Sequence, residues 1–263
     1  MTSAPTARGR PPAFQPAKMS EVVARALLDH IVDSDLQPGD ALPNERDALA
    51  WLGVSRGSLR EGLRLLEIQG VIAIRPGPGG GPVVRDADPE MYASTSTLLM
   101  QFMRVPFGEV LDARIVFEPQ VADAAARHRT AEQAGALMVG VSGMDAAVRD
   151  SDNSPDDFQL AYDGFHRVLA ESTHNRVLLL TGLTFRKIWD PIHAEVSYGL
   201  EALRRTVAAH RQLARAVADQ DPDGARVASH RHLVEYRDYL REHQSALLDR
   251  RVAWATGSHR GKT

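Results

Sequence analysis

"LPNERDALAWLGVSRGSLREGLRLLEIQG", residues 42 to 70, holds two apolar-striped segments split at one glycine, and the chain on either side is read outward from it. Pro43 and Asn44 suit a helix start, Leu49 and Leu52 share a face, and Gly53 ends the segment. Ser55 is placed to N-cap the next helix, on which Leu59, Leu63 and Leu66 form an apolar stripe until Gly70 stops it. Upstream, Val22, Val23, Ala26, Leu27 and Ile31 recur at helical spacing between Met19 and Asp33, and "LQPGD" turns the chain. Downstream, "VIAI" (71 to 74) and Pro82, Val83 and Val84 read as two strands joined through the tip of "RPGPGGGPVVR" (75 to 85). A Walker-type phosphate loop needs a Lys-Ser/Thr pair after its last glycine and then a helix, and this stretch supplies neither. Three helices followed by a hairpin are the layout of a winged helix-turn-helix.

The charges on the third helix give that layout a purpose. Arg56 and Arg60 lie four residues apart and project from one face, and Arg64 extends the row. Three arginines alone are equally well read as a solvated surface. Ser55, Gly57 and Ser58 at the helix start are small enough to let backbone amides approach phosphates, while arginines make bidentate contacts to guanine edges or phosphates. The glycine-rich tip, flanked by Arg75 and Arg85, is narrow enough to lie along an adjacent groove. The phosphates this region is built for are those of a duplex.

The stretch from 36 to 80, "LQPGDALPNERDALAWLGVSRGSLREGLRLLEIQGVIAIRPGPGG", resembles the DNA-binding domain of GntR-family transcriptional regulators. The resemblance implies that Arg46 joins Arg56 and Arg60 as the DNA-contacting set and that Pro76 and Gly77 occupy the wing tip. Two departures stand out. Gly57-Ser58 occupies positions where the family commonly has Thr-Pro or Thr-Thr, and Gly62 replaces a usual alanine, at about 1 kcal/mol of helix propensity. Trp51 stands where a polar residue is usual and reads as a partly exposed surface residue or an interdomain contact.

Composition sets the frame. A chain of 263 residues suggests two domains, and 43% apolar with only 6% aromatic residues suggests a mainly α, soluble protein. The absence of cysteine excludes disulfides and thiolate metal sites and fits a cytoplasmic location. No apolar run approaches the roughly 20 residues of a membrane helix, so no membrane partner is expected. A net charge of -3 means that any DNA-binding charge is local. The expected organisation is a disordered arm (1 to 17), the winged helix-turn-helix (18 to 85), a linker (86 to 96), an antiparallel helical bundle (97 to 247), which the family resemblance implies is the effector-binding and dimerisation domain, and a polar tail (248 to 263).

Helices are expected in the bundle at roughly 97 to 104, 107 to 127, 131 to 149, 154 to 172, 175 to 196, 199 to 219 and 222 to 246. His166, His210 and His232 fall on three of them among apolar neighbours. A lone interior histidine is usually a hydrogen-bonded core residue; three on facing helices suit a divalent metal such as Zn or Ni. "RIVFEPQVADAAA" (114 to 126), "FHRVLAESTHN" (165 to 175) and "HRQLARAVADQDPDGARVASHRHL" (210 to 233) resemble the FCD effector domain of FadR-type GntR regulators. The resemblance implies a metal held by these three histidines and an aspartate. The usual aspartate position, four before His166, holds Tyr162, while Asp163 lies three before it on the same helix face. Arg114 and Asn175 complete the implied effector site, with the guanidinium gripping a carboxylate; an ion pair of Arg114 with Glu118, four residues on, is the rival reading.

The expected protein is a homodimeric, ligand-controlled regulator; repression, the commoner mode in the family it resembles, is the expected one, with activation as the alternative. It binds a double-stranded, pseudo-palindromic DNA operator and is released by a small organic acid effector. A metal-dependent enzyme and a ligand-free architectural DNA-binding protein are the alternatives.

Overall fold

The computed structural model describes residues 18–77, 79–86, 89–149, 155–193, 196 and 198–255. The expected arm (1 to 17) and the end of the expected tail (256 to 263) lie outside the described residues. The chain divides into two compact units, Met1–Asp88 and Pro89–Thr263.

In the first unit α1 (Met19–Asp33), α2 (Glu45–Leu52) and α3 (Arg56–Ile68) precede a hairpin of β1 (Ile72–Arg75) and β2 (Gly81–Val84). Val23, Leu27 and Ile31 recur every four residues and put one stripe of α1 into a core shared with Leu42, Ala48, Leu59, Leu66, Ile72 and Val84. Gly62 is buried where α3 crosses α1: a Cβ there would stand 2.5 Å from Val23 Cγ1 and 2.8 Å from its Cβ. The glycine departure is therefore a packing requirement, and its weak helix propensity is the smaller effect. The hairpin is antiparallel, with Ile72 opposite Val84 and Arg75 opposite Gly81. Segment 39–42 lies along its other edge, where Leu42 N–H donates to Pro82 O and Val84 N–H to Asp40 O, each at 2.9 Å. Trp51 is half-exposed and leans on the ring of His30, with centroids 5.1 Å apart.

The second unit is a helical bundle: α4 (Pro89–Phe102), α5 (Phe107–His128), α6 (Ala131–Arg149), α7 (Pro155–Glu171), α8 (Arg176–His193), α9 (Leu200–Ala218) and α10 (Pro222–His243). Two apolar clusters fill it. One gathers Val121, Ala125, Leu137, Met144, Phe165, Leu213 and Val217, the other Phe107, Leu111, Ile188, Trp189, Leu233 and Leu240. Helices α5 and α10 pass from one cluster to the other, and at their midpoints they carry Arg114, Glu118 and His232.

Two sequence expectations are corrected here. The expected linker, 86 to 96, is helical from Pro89. Its serines and threonines hide the helical period because they bond back to the preceding turn: Ser96 Oγ donates to Tyr92 O and Thr97 Oγ1 to Ala93 O, each at 2.9 Å. The expected polar tail packs against the bundle over residues 248–255, with Val252 buried. Phe107 N–H donates to Arg250 O (2.7 Å) and Gly108 N–H to Leu248 O (2.8 Å), so this strap supplies acceptors to amides that the first turn of α5 leaves unpaired. Trp254 continues it onto α4, donating from N–H to Gln101 Oε1 (2.6 Å) and from Nε1–H to Ser94 Oγ (3.0 Å).

Candidate functional site

The first unit presents the charged face of α3. Ser55 caps the helix, its Oγ accepting from Ser58 N–H at 3.1 Å, and lies in contact with Ser58 Oγ at 2.9 Å. Arg56 and Arg60 then rise side by side, 78% and 71% exposed, and both lean on Glu45 at the start of α2, at 3.6 and 3.3 Å. Arg46 also extends into solvent, with Asp47 at 3.1 Å. A Cβ on Gly57 would have only Ser55 Oγ within 4 Å, at 3.8 Å, so the backbone of the first turn is open to an approaching phosphate. Pro76 and Gly77 are exposed at the wing tip, where Gly77 has φ +95°, a left-handed backbone that favours glycine. A groove of about 620 Å³ between α3 and the wing is lined by Arg60, Arg64, Arg75 and Gly77 together with Glu45, Glu61 and Glu67. Arg46, Arg56 and Arg60 share this surface region with the capped start of α3. Glu45, which holds two of the three arginines, has no role in the sequence reading, although it stands within the stretch that carries the family resemblance, one residue before Arg46.

The second unit contains a buried polar centre. Arg114 of α5 is 1% exposed, its guanidinium stacked 4.2 Å above the ring of Trp189 and its Nε bonded to Glu118 Oε1 at 2.5 Å. The rival ion-pair reading is thus realised, yet Arg114 Nη1 is buried with no hydrogen-bond partner among the described residues. Burial works against both charges of the pair, and each partner overrides it: Glu118 holds the guanidinium above its ordinary pKa, and Arg114 holds the carboxyl below the usual carboxylate range.

The three histidines meet beside this pair. His210 Nδ1 lies 2.8 Å from Thr206 O, and since a carbonyl only accepts, that nitrogen carries the proton. In the neutral ring Nε2 is then an acceptor, and it receives the Nε2–H of His166 at 3.1 Å. The His232 ring packs 4.5 Å from that of His210, centroid to centroid. Burial, reinforced by His232, lowers the His210 pKa well below the ordinary value; burial with the charges of His166 and Arg114 pushes His232 down to about 3. Tyr162 lays its ring 4.5 Å from His166 and 5.1 Å from His210, and burial raises its phenol.

The expected fourth ligand is elsewhere. Asp163 is 41% exposed and forms an ion pair with Arg186 of α8, while accepting from Gln159 Nε2 at 2.8 Å. The acidic groups do not fit a metal ion: Asp163 is engaged by Arg186 and Glu118 by Arg114, and Tyr162 brings a neutral ring where a carboxylate would be needed. Among the described residues no group of three or more histidines, aspartates and glutamates is arranged to hold one. Asn175 also stands apart from the centre. It is exposed, and its Oδ1 accepts from Val177 N–H (2.9 Å) and Leu178 N–H (3.2 Å), capping the first turn of α8. Arg186 and Trp189, both on α8, belong to the centre without any motif to announce them. A cleft of about 410 Å³ opens at its edge by His232, with Arg205, Tyr198, Tyr236 and Tyr239 on its wall beside the carboxylates Glu235, Asp238 and Glu242.

A winged helix with a positive reading face, joined in one chain to a helical domain with a buried polar centre, defines a DNA-binding transcriptional regulator. Residues 19–80 match the bacterial regulatory proteins of the gntR family and residues 109–235 match the FCD domain. An HTH-type transcriptional regulator of Mycobacterium tuberculosis is 36% identical over 177 residues, 66% of this chain and 69% of that one. The Uxu operon transcriptional regulator of Escherichia coli is 27% identical, covering 84% of this chain and 86% of its own length. The repressor NanR of Klebsiella aerogenes is 29% identical, covering 82% and 83%. Among solved structures a Streptococcus agalactiae GntR protein superposes with a TM-score of 0.66 at 21% identity over 84% of this chain and 99% of that one, which shows the shared fold. The chain belongs to the GntR family of transcriptional regulators, in the branch with a C-terminal FCD domain. Its relatives and domains are those of regulators and not of enzymes.

Proposed function

We propose that the protein is a cytoplasmic repressor that binds a pseudo-palindromic operator as a homodimer and releases it when a small organic acid occupies the helical domain. The observation that carries the DNA half is the pair Arg56 and Arg60, exposed and poised over one carboxylate at the capped start of α3. Arg46, Ser55, Gly57 and Ser58 complete the reading surface, with Pro76 and Gly77 reaching the neighbouring groove. A second copy is supported by the apolar end of α4, where Leu99, Phe102 and Met103 are exposed, Phe102 to 85%. Repression is supported by the similarity to NanR of Klebsiella aerogenes, a transcriptional repressor.

The effector half rests on Arg114, whose unpaired buried Nη1 is suited to a carboxylate. Effector binding then favours a dimer arrangement that spaces the recognition helices wrongly for the operator, and a coupling of about 1 to 3 kcal/mol releases DNA roughly 5- to 150-fold. The test is operator affinity by fluorescence anisotropy, once the operator has been selected from random duplexes. Arg56→Ala is expected to weaken specific binding by about 1 to 3 kcal/mol and relax sequence preference at one position per half-site. Unchanged affinity removes Arg56 from the reading surface.

A further inference from the structure

We infer that the buried centre takes an organic carboxylate directly on its guanidinium groups, with no bridging metal ion. This rests on the proposal that the helical domain is the effector domain, and it specifies the chemistry of that site. Each acidic group near the three histidines already has a cation: Glu118 is bonded to Arg114 Nε at 2.5 Å, and Asp163 is drawn toward α8 by Arg186. The side chain one turn before His166 is a tyrosine, whose ring fills the space beside His166 and His210. A cation entering here would meet two arginines, and a tyrosine where a carboxylate is needed.

An anion finds donors. Arg114 is fixed by the Trp189 ring 4.2 Å below it, by Glu118 at Nε and by a hydrogen bond with the Tyr162 side chain, which leaves Nη1 as the buried edge with no partner among the described residues. Arg186 sits 5.0 Å from the centroid of the Tyr162 ring. A ligand carboxylate would add to this network without displacing Glu118. The cleft of about 410 Å³ meets the centre at His232; its wall carries Arg205 and the rings of Tyr198, Tyr236 and Tyr239, with Glu235, Asp238 and Glu242 also on it, so a ligand body placed there would have to be uncharged and hydroxylated or aromatic.

The test uses the full chain after treatment with EDTA. Thermal unfolding is followed with lactate, malonate, citrate and benzoate, each with EDTA present, and calorimetry measures zinc binding to the same preparation. At least one carboxylate is expected to raise Tm by about 5 °C when present at roughly a hundredfold over its Kd. That shift is lost in Arg114→Lys, which keeps a charge for Glu118 but removes the planar fork; Arg186→Lys serves if the first variant does not fold. Wild type is expected to hold no zinc, whereas Tyr162→Asp gains one zinc per chain because a carboxylate then joins the histidines. Stoichiometric zinc binding by wild type overturns the inference, as does a carboxylate shift that appears only with metal, or no shift with any of the four acids. Operator binding in the same samples separates this from the effector reading. A carboxylate that binds in EDTA but leaves operator affinity unchanged sinks the effector role alone; a zinc-dependent acid that releases the operator sinks only the metal-free site.

Discussion

Arg60 and Arg114 each face one carboxylate, Arg60 in solvent at 3.3 Å from Glu45 and Arg114 at 2.5 Å from Glu118, sealed beneath the bundle surface. In water an ion pair is worth about 0 to 1 kcal/mol, so a duplex phosphate can replace Glu45 with little loss. In the interior neither partner can leave, since the remaining charge would be buried without compensation. On the proposed function the reading face therefore exchanges partners, and the helical centre only adds one. Recognition of many duplex sequences needs the first property; a specific response to one small molecule needs the second.

The contrast is broken most directly by Arg114→Met. It leaves Glu118 buried and unpaired and is expected to remove about 3 to 5 kcal/mol of stability, read by urea denaturation, while Arg60→Met removes less than about 1. Similar values for the two variants would erase the distinction. Acid gives the next largest effect. His210 and His232 resist protonation in the folded chain, and the unfolded chain takes up protons on them below about pH 6.5. Stability is thus undiminished above that pH and falls as pH drops toward about 3, where His232 titrates in the fold. The expected slope is about 1.4 kcal/mol per pH unit for each histidine, and His232→Gln reduces it. A flat stability between about pH 6.5 and pH 5 would mean that the rings are not sealed from solvent.

Gly62→Ala sharpens the comparison from the other unit, where packing and not charge is decisive. Helix propensity alone predicts a gain near 1 kcal/mol, whereas the clash with Val23 predicts a loss of about 1 to 3, so the sign of the change in Tm decides. The smallest effect is that of Glu45→Gln. It frees Arg56 and Arg60 and should strengthen binding to arbitrary duplexes by less than about fivefold, with Tm unchanged, in a low-salt titration.

How far these features were legible follows from the same division. In the first unit the determinants are local: spacing places Leu27 and Leu59 in the core, Ser55 and Asn44 announce their helix starts, and Gly53 and Gly70 their ends. What local reading missed there was Gly62, whose reason lies on another helix. In the second unit helix positions were readable to a few residues, but α4 was hidden because Ser96 and Thr97 satisfy their hydroxyls inside the helix and so look like loop residues. The strap was invisible because backbone carbonyls cap α5, and no residue type signals that. Spacing put Tyr162 and Asp163 near one helix face with His166, yet it could not say that Arg186 would claim the aspartate. Asn175 was singled out by resemblance, and its side chain turned out to serve the start of its own helix.

The strap also determines how the helical domain opens. The amides of Phe107 and Gly108 are protected only while residues 248–250 lie against them, and Val252 N–H in turn donates to Val105 O at 2.9 Å. These three amides should therefore exchange with deuterium at a common rate, as one cooperative unit, and faster than the amides of α5 near Arg114. The last stretch of described chain and the entry into the central helix would then behave as a single hinge-free flap. Its opening frees Trp254 from Ser94, so tryptophan emission offers an optical readout of the same event.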